Sequence, residues 1–448
     1  MNHKIKTGLQ LLGAILLGSL RLSAQESSYS LQELIEAAKK NNSLIRIKEY
    51  QVQEKMSKLK ENKIKQYPSA IVDGTYQYSF NQPEITIPAG SLGTIDTGNG
   101  QTQLLPSQAS KFPTGQKGSY NVGLNFYQPV TQLFKINTGL NMDKVDIKLG
   151  QAEKEKTALE LQLAIEQLYY GAIIAQKQTD ATKAKLELAK SRLYDAQGAL
   201  TTGKTIQANL SGLQAVIAGE EQNLLKIEFQ LQDYLAELSR LTTLSIVVLQ
   251  PQDEEQGNIN TFAVNDYKNL ADHNPDMEIA RLQKEKAVLA IQAAKESNLP
   301  DFGLVAGYYV QQGSPFLPKN SPFAGLSLKW NLQDLFSNNE LKNQRQFQLR
   351  QAEETITYTQ KQVNSTIDQT WRKVELSQGL IASAKKLVGY RKDALKEQQD
   401  KEDAGLGIKT ALLEAKSQLA EAETDLYTAK LSNTIAIAEL RNLAGQTK

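Results

Sequence analysis

Two hydrophobic periods take turns along this chain. Between Ala70 and Phe80, the positions Ala70, Val72, Gly74, Tyr76, Tyr78 and Phe80 interleave with Ile71, Asp73, Thr75, Gln77 and Ser79. That period of two predicts a β-strand with an apolar face and a polar face. A partner strand is predicted over Asn121–Gln128, with Val122, Leu124 and Phe126 on the apolar side. The pattern returns late in the chain, first as Phe302, Leu304, Ala306, Tyr308 and Val310, then as Ala324, Leu326, Leu328 and Trp330. Everywhere else the spacing is helical. Ser30–Gln66 is predicted as one helix, with Leu31, Leu34, Ile35 and Ala38 on a common face and Pro68 ending it.

No proline lies between Val130 and Gln250, or after Phe323, so both stretches can be helical throughout. Each is interrupted once, at Leu200-Thr201-Thr202-Gly203-Lys204 and at Asp403-Ala404-Gly405-Leu406-Gly407-Ile408. These breaks predict the tips of two helical hairpins. A helix over Thr131–Thr201 would run about 105 Å, whereas Thr205–Leu241 and Ser30–Gln66 would each run about 55 Å. Two short helices end to end therefore match one long helix, with irregular chain over Ser245–Asp266 (Pro251, Asp253-Glu254-Glu255, Gly257) as a belt at the joint. After the second tip, Leu412, Leu419, Leu426, Asn433 and Leu440 alternate with Ala415, Ala422, Ala429, Ala436 and Leu443. After the first, Leu210, Ile217, Leu224, Leu231 and Leu238 alternate with Leu213, Glu220, Ile227, Tyr234 and Leu241. A sustained seven-residue repeat predicts coiled-coil packing.

The chain is a tandem duplication. Ser43–Tyr76 aligns with Pro275–Tyr308, so that Ile47, Gln51, Lys63, Pro68 and Tyr76 meet Ile279, Gln283, Lys295, Pro300 and Tyr308. Farther along, Gly123-Leu124, Leu133-Phe134, Gly203 and Leu210 meet Gly325-Leu326, Leu335-Phe336, Gly405 and Leu412. The spacing between equivalents falls from 232 to 202 positions, which places an insertion between Phe80 and Ser119. Asn81–Gly118, rich in Gly, Pro, Gln and Thr, is predicted as a long polar loop. The domain organisation is then residues 1–24, a first repeat 25–242, a connector 243–266 and a second repeat 267–448.

Composition narrows the function. With 40% apolar and 22% charged residues, the chain reads as solvent-bathed helix rather than one large core. A formal charge of +2 gives no electrostatic case for nucleic acid. No cysteine is present, which removes disulfides, thiol chemistry and cysteine metal sites. Lys4 and Lys6, then an apolar run Leu9–Leu20, then Ser23-Ala24 predict a cleaved secretory signal. That run is shorter than the roughly 20 residues of a membrane-spanning helix. After cleavage His273 is the sole histidine, so neither a metal site nor a cofactor is expected, and no nucleophile–base pair is legible. The protein is not expected to be an enzyme.

The strand faces (aromatics on one side; Asp73, Thr75, Asn125 and Lys329 on the other) resemble those of a lipid-embedded barrel. Four strands cannot close one, since about eight is the minimum, and open edges do not survive in a bilayer. Several chains would have to share a barrel; composition and period do not give the copy number. The residues expected to face lipid are Val72, Tyr76, Tyr78, Leu124, Phe126, Phe302, Leu304, Tyr308, Leu326, Leu328 and Trp330.

The ordered set of features, twice over, resembles the TolC-like outer membrane efflux proteins. It comprises the duplication, the helices ending at Pro68 and Pro300, the Gln128-Pro129 pair, and Ala404-Gly405-Leu406 ahead of Leu412-Leu413-Glu414-Ala415. The resemblance implies a mainly α protein with a membrane β-barrel: a homotrimer with a twelve-stranded barrel in the outer membrane and a helical tunnel in the periplasm. It also implies a periplasmic adaptor and an inner-membrane transporter as partners, in drug efflux or type I secretion. Ala404-Gly405-Leu406 resembles the family's adaptor-docking turn well, whereas Thr202-Gly203-Lys204 keeps only the glycine. Of the acidic positions that close the periplasmic entrance in such proteins, Glu414 matches one, Ala411 stands at another, and Asn209 occupies the related place after the first tip. An ordinary solvated coiled-coil flank is the competing reading of Glu414. For the whole chain the alternatives are a soluble periplasmic coiled-coil scaffold or adaptor, and a surface-binding protein that works through residues 81–118.

Overall fold

The computed structural model describes residues 29–82, 84–247, 249, 263–314 and 317–445. The predicted signal segment lies outside them, as do Pro251, Asp253-Glu254-Glu255 and Gly257 of the connector. The described residues open with α1 (Leu31–Asn41) and α2 (Ser43–Ile64), followed by β1 (Ser69–Tyr78). The insertion holds β2 (Glu84–Ile87), β3 (Thr94–Asp96), β4 (Thr102–Leu104) and β5 (Ser110–Pro113), and leads into β6 (Gly118–Pro129). Next come α3 (Gln132–Thr201), α4 (Gln207–Thr242) and α5 (Val264–Leu270), then a 3₁₀ turn at Ala271–His273 and α6 (Pro275–Glu296). The second sheet half, β7 (Asp301–Gln312) and β8 (Asn320–Lys329), precedes α7 (Leu332–Asp403) and α8 (Lys409–Leu443).

The predicted first helix is two helices, and a buried asparagine is the reason. Asn42 leaves the helical conformation (φ −66°, ψ 131°). Its Nδ2 donates to the Leu241 carbonyl at 3.1 Å, and its Oδ1 accepts from Leu44 N at 2.8 Å. Asn274 does the same in the second repeat, donating to the Leu443 carbonyl at 3.0 Å and accepting from Asp276 N at 2.8 Å. Asn42 and Asn274 are 232 positions apart, and Leu241 and Leu443 are 202 apart, so the duplication copied the joint intact. Each asparagine ties an orphan carbonyl at the end of one helix to the first turn of another. At the start of α1, Ser30 and Glu33 form a capping box, and the hydrogen bond from Ser30 N holds the Glu33 carboxyl below its ordinary range.

The insertion is also more ordered than a loop. Strands β2 and β5 pair antiparallel (Ile85 opposite Phe112), and β3 and β4 pair beyond them (Ile95 opposite Gln103). The insertion is thus two successive hairpin rungs, rooted where Gln116 N donates to the Gly313 carbonyl at 2.9 Å. Apolar alternation too short to read in a Gly- and Thr-rich stretch explains why it looked unstructured.

Two compact units divide the chain, and each draws on both repeats: 1–50, 151–280 and 355–448 in one; 51–150 and 281–354 in the other. In the first unit, one cluster joins Leu34, Ile165, Tyr169 and Leu238; a second joins Tyr267, Ile367, Val374 and Leu440. Leu238 and Leu440 are equivalents and both are fully buried. Within this unit, α3 carries ion pairs to α4 (Lys190–Glu221, 3.5 Å) and to α8 (Lys185–Glu421, 2.8 Å). Helix α8 is paired in turn with α7 (Lys392–Glu423, 3.4 Å). The helix order is therefore α4, α3, α8, α7. The second unit holds an antiparallel sheet ordered β1-β6-β7-β8.

Candidate functional site

Three regions carry the residues singled out by sequence: the hairpin tips, the segment just after the second tip, and the sheet.

Both tips are Schellman motifs built on a glycine. At the first, Gly203 (φ +67°) follows α3, with Lys204 N donating to Ala199 O at 2.9 Å and Gly203 N to Leu200 O at 3.0 Å. At the second, Gly405 (φ +72°) follows α7, with Leu406 N to Lys401 O and Gly405 N to Glu402 O, both 2.9 Å. Neither glycine would crowd a Cβ, so positive φ alone demands them. The tips differ two residues on. A Cβ on Gly407 would lie 2.5 Å from the Glu402 Cα, so the second turn folds back too tightly for a side chain. The equivalent Thr205 fits in the first tip and accepts a hydrogen bond from Asn209 Nδ2 at 2.8 Å. Thr202 caps inward onto the Ala199 carbonyl at 3.1 Å, whereas Leu406 and Ile408 stand exposed.

Just after the second tip, Glu414 is paired with Arg192 of α3 at 3.1 Å, each side chain about half exposed. Beside it Thr410 Oγ1 donates to Asp195 at 2.7 Å. Ala411 lies in the first turn of α8, its N–H on the Ile408 carbonyl at 2.9 Å. The sequence pattern singled out Glu414 but missed Arg192, because a partner on another helix of the other repeat leaves no local signal. Asn209 stays at the first tip, bonded to Thr205, and joins neither pair.

The sheet places ten of its eleven expected lipid-facing residues on one side. Val72 opposes Leu124, Leu124 opposes Tyr308, Leu304 opposes Leu326, and Phe302 opposes Leu328. All of them are exposed, as are Tyr76, Tyr78, Phe126 and Trp330. Trp330 lies just past β8, its indole N–H donating to the Asn298 carbonyl at 3.2 Å. The other face contains Asp73, Thr75, Asn121, Asn125, Gln311 and Ser327 by register. It also holds something the alternation concealed: aromatic side chains lying across glycines of the next strand. A Cβ on Gly123 would stand 2.3 Å from the Tyr309 ring, one on Gly307 2.5 Å from Phe323, and one on Gly303 2.3 Å from Tyr127.

Among the described residues no helix is long and apolar enough to cross a membrane, and no group of three His, Asp or Glu side chains could hold a metal. An apolar sheet face of this extent exceeds what a soluble monomer leaves open.

Residues 267–446 match the family described as outer membrane efflux protein. No sequence among the curated proteins matches. Solved structures with the same fold include the outer membrane protein VceC of Vibrio cholerae, at 15% identity and TM-score 0.68, covering 93% of this chain and 96% of that one. The CmeC outer membrane channel of Campylobacter jejuni shares 13% identity at TM-score 0.70, over 95% of this chain and 90% of that one. A membrane protein of Pseudomonas aeruginosa shares 14% identity at TM-score 0.71, over 93% and 90%. These likenesses establish the fold, and the family match rests on sequence. A strand–helix–tip–helix order copied twice and an uncovered apolar sheet face thus accompany a sequence match, over residues 267–446, to the family described as outer membrane efflux protein.

Proposed function

We propose that three copies of the chain join head to tail into a passive conduit, with a twelve-stranded barrel in the outer membrane and a gated entrance at the helix tips. One observation carries the reading: both layers of the chain are open at their two ends. The sheet begins at β1 and finishes at β8, each with an unpaired outer edge. The helix layer begins at α4 and finishes at α7. Exposed Val216, Leu225 and Phe229 lie on the first, and Leu376, Leu380 and Tyr390 on the second. Joining β1 of one copy to β8 of the next removes both sheet edges, which lipid requires. Joining α4 of one copy to α7 of the next closes the helix layer likewise, and a closing heterologous contact makes a ring. Barrel size excludes two copies, which would give eight strands and a filled interior; three, the number that the family resemblance implies, leave room for a channel.

In this assembly Val72, Tyr76, Tyr78, Leu124, Phe126, Phe302, Leu304, Tyr308, Leu326, Leu328 and Trp330 face lipid, and the polar face lines the lumen. The tips mark the periplasmic mouth. There exposed Leu406, with Ala404 and Gly405, offers an apolar contact to a periplasmic adaptor, while Thr202, Gly203 and Lys204 offer a polar one. An inner-membrane transporter supplies the energy. Glu414, latched to Arg192, sets the width and charge of the entrance, with Ala411 and Asn209 as uncharged neighbours.

The chain has no cysteine, so engineered cross-links report cleanly. Cysteines placed one each on the outer edges of β1 and β8 should cross-link on oxidation into species no larger than a trimer, within outer membranes. Chains that stay monomeric in the membrane, or ladders beyond three, would overturn the assembly.

A further inference from the structure

We propose that the polar face of the sheet carries a weak binding site for organic cations bearing an apolar ring, formed by Asp73, Tyr309 and Phe323. The inference rests on the reading above, in which that face lines the lumen.

The site exists because a glycine is missing a side chain. Asp73, Gly123 and Tyr309 are consecutive partners across β1, β6 and β7. A Cβ at Gly123 would lie 2.3 Å from the Tyr309 ring and 3.2 Å from Asp73 Oδ1. Ring and carboxylate thus meet over the glycine. One strand on, Phe323 lies across Gly307 in the same manner, and the two rings run nearly parallel, 13° apart with centroids 5.5 Å from one another. Asp73 Oδ1 accepts from Asn125 Nδ2, which fixes the carboxylate in place. Among the described residues no lysine or arginine pairs with Asp73, unlike Asp301, whose carboxylate is bridged to Lys135 at 2.6 Å. The next pair along the same face, Thr75 and Asn121, is neutral.

An unneutralised carboxylate beside exposed aromatic surface is the pairing that recognises an ammonium carried on an apolar ring: the charge meets the acid and the face of the nearer ring, and the apolar part stacks on the face of the next. Neutral aromatics lose the first contact and small inorganic cations lose the second. Weakness suits a conduit, since a passage site must release what it takes.

The test uses the full-length protein in planar bilayers, with benzyltrimethylammonium as the probe and benzyl alcohol as its neutral counterpart. Wild-type current should be reduced by the ammonium and not by the alcohol. Asp73→Asn, which keeps the shape and the hydrogen bond to Asn125, should weaken the block about three- to tenfold, as should Phe323→Leu, while Tyr309→Phe should retain it. Open-channel conductance in the same traces shows that each variant is folded and inserted. A conducting wild type without block, equal block by the alcohol, or unchanged block in both Asp73→Asn and Phe323→Leu overturns the site while leaving the conduit standing. Absence of any conductance overturns the conduit, and the site with it.

Discussion

Helices α4 and α8 follow equivalent tips and carry the same seven-residue repeat, yet they are buried very differently. In α8 the row Ala415, Ala422, Ala429 and Ala436 is buried along the length of the helix. In α4 only Leu210 near the tip and Leu238, Leu241 and Thr242 at the far end are buried. The cause is position in the layer. Helix α8 has α3 on one side and α7 on the other, whereas α4 has α3 along its length and gains α1 only at its far end, where Leu238 and Leu241 meet Leu34. A helix flanked on both sides must let its neighbours come close, and alanine allows that. Leu213, Ile227 and Tyr234 occupy the alanine row's equivalents in α4, where there is room for them. A heptad therefore announces packing but not how many partners supply it.

The largest expected effect exchanges residues across this pair. Ala429→Ile puts the α4 residue into α8, where overpacking should cost about 1–3 kcal/mol. Ile227→Ala, the reverse change, should hardly alter a monomer and should instead lower the resistance of the proposed trimer to dissociation. Thermal melts of detergent-solubilised protein, scored separately for trimer loss and helix loss, check both. Equal destabilisation by the two would mean that α4 and α8 are packed alike.

The asparagine joints should respond identically in the two repeats. Asn42→Ala and Asn274→Ala each strand a carbonyl, buried at Leu241 and partly buried at Leu443, at a cost of about 1–3 kcal/mol. Denaturant titrations giving one loss without the other would show that the copied geometry is not copied energetically. Smaller and more local is the difference between the tips. Gly407→Thr installs the first tip's residue where a Cβ meets the Glu402 backbone. Hydrogen exchange should quicken over residues 400–408 and adaptor binding should fall. Thr205→Gly at the first tip removes only the hydrogen bond to Asn209 and should leave both nearly unchanged.

Much of this was legible in the chain, and the exceptions share a cause. Period two gave the strand faces, and the two glycine breaks gave the tips, because both signals are local. The split at Asn42 was hidden because an asparagine within a helical pattern reads as an ordinary polar position, and its partner is 199 residues away. Its copy at Asn274, directly before a proline, was the available clue. The aromatic–glycine cladding was hidden since glycine on a polar face looks like weak strand rather than a place kept open for a neighbour's ring. Arg192 was hidden in the same sense: α3 is studded with cations, and only packing tells which of them meets Glu414.

That pair gives the smallest effect on stability and the sharpest question about the mouth. At 3.1 Å with both side chains about half exposed, it should contribute no more than about 0–1 kcal/mol, so neither partner's loss should move the melting temperature much. Function separates two roles for it. If the pair is a latch between α3 and α8, Arg192→Gln and Glu414→Gln release the same restraint, and single-channel conductance should rise in both. If Glu414 acts instead as a ring of charge at the entrance, the variants pull apart. Removing the acid should lower cation preference, and removing the arginine beside it should raise it. The latch predicts the first pattern because Arg192 neutralises most of the field Glu414 would present. Opposite shifts in selectivity, with conductance unchanged, would replace the latch by the charged ring.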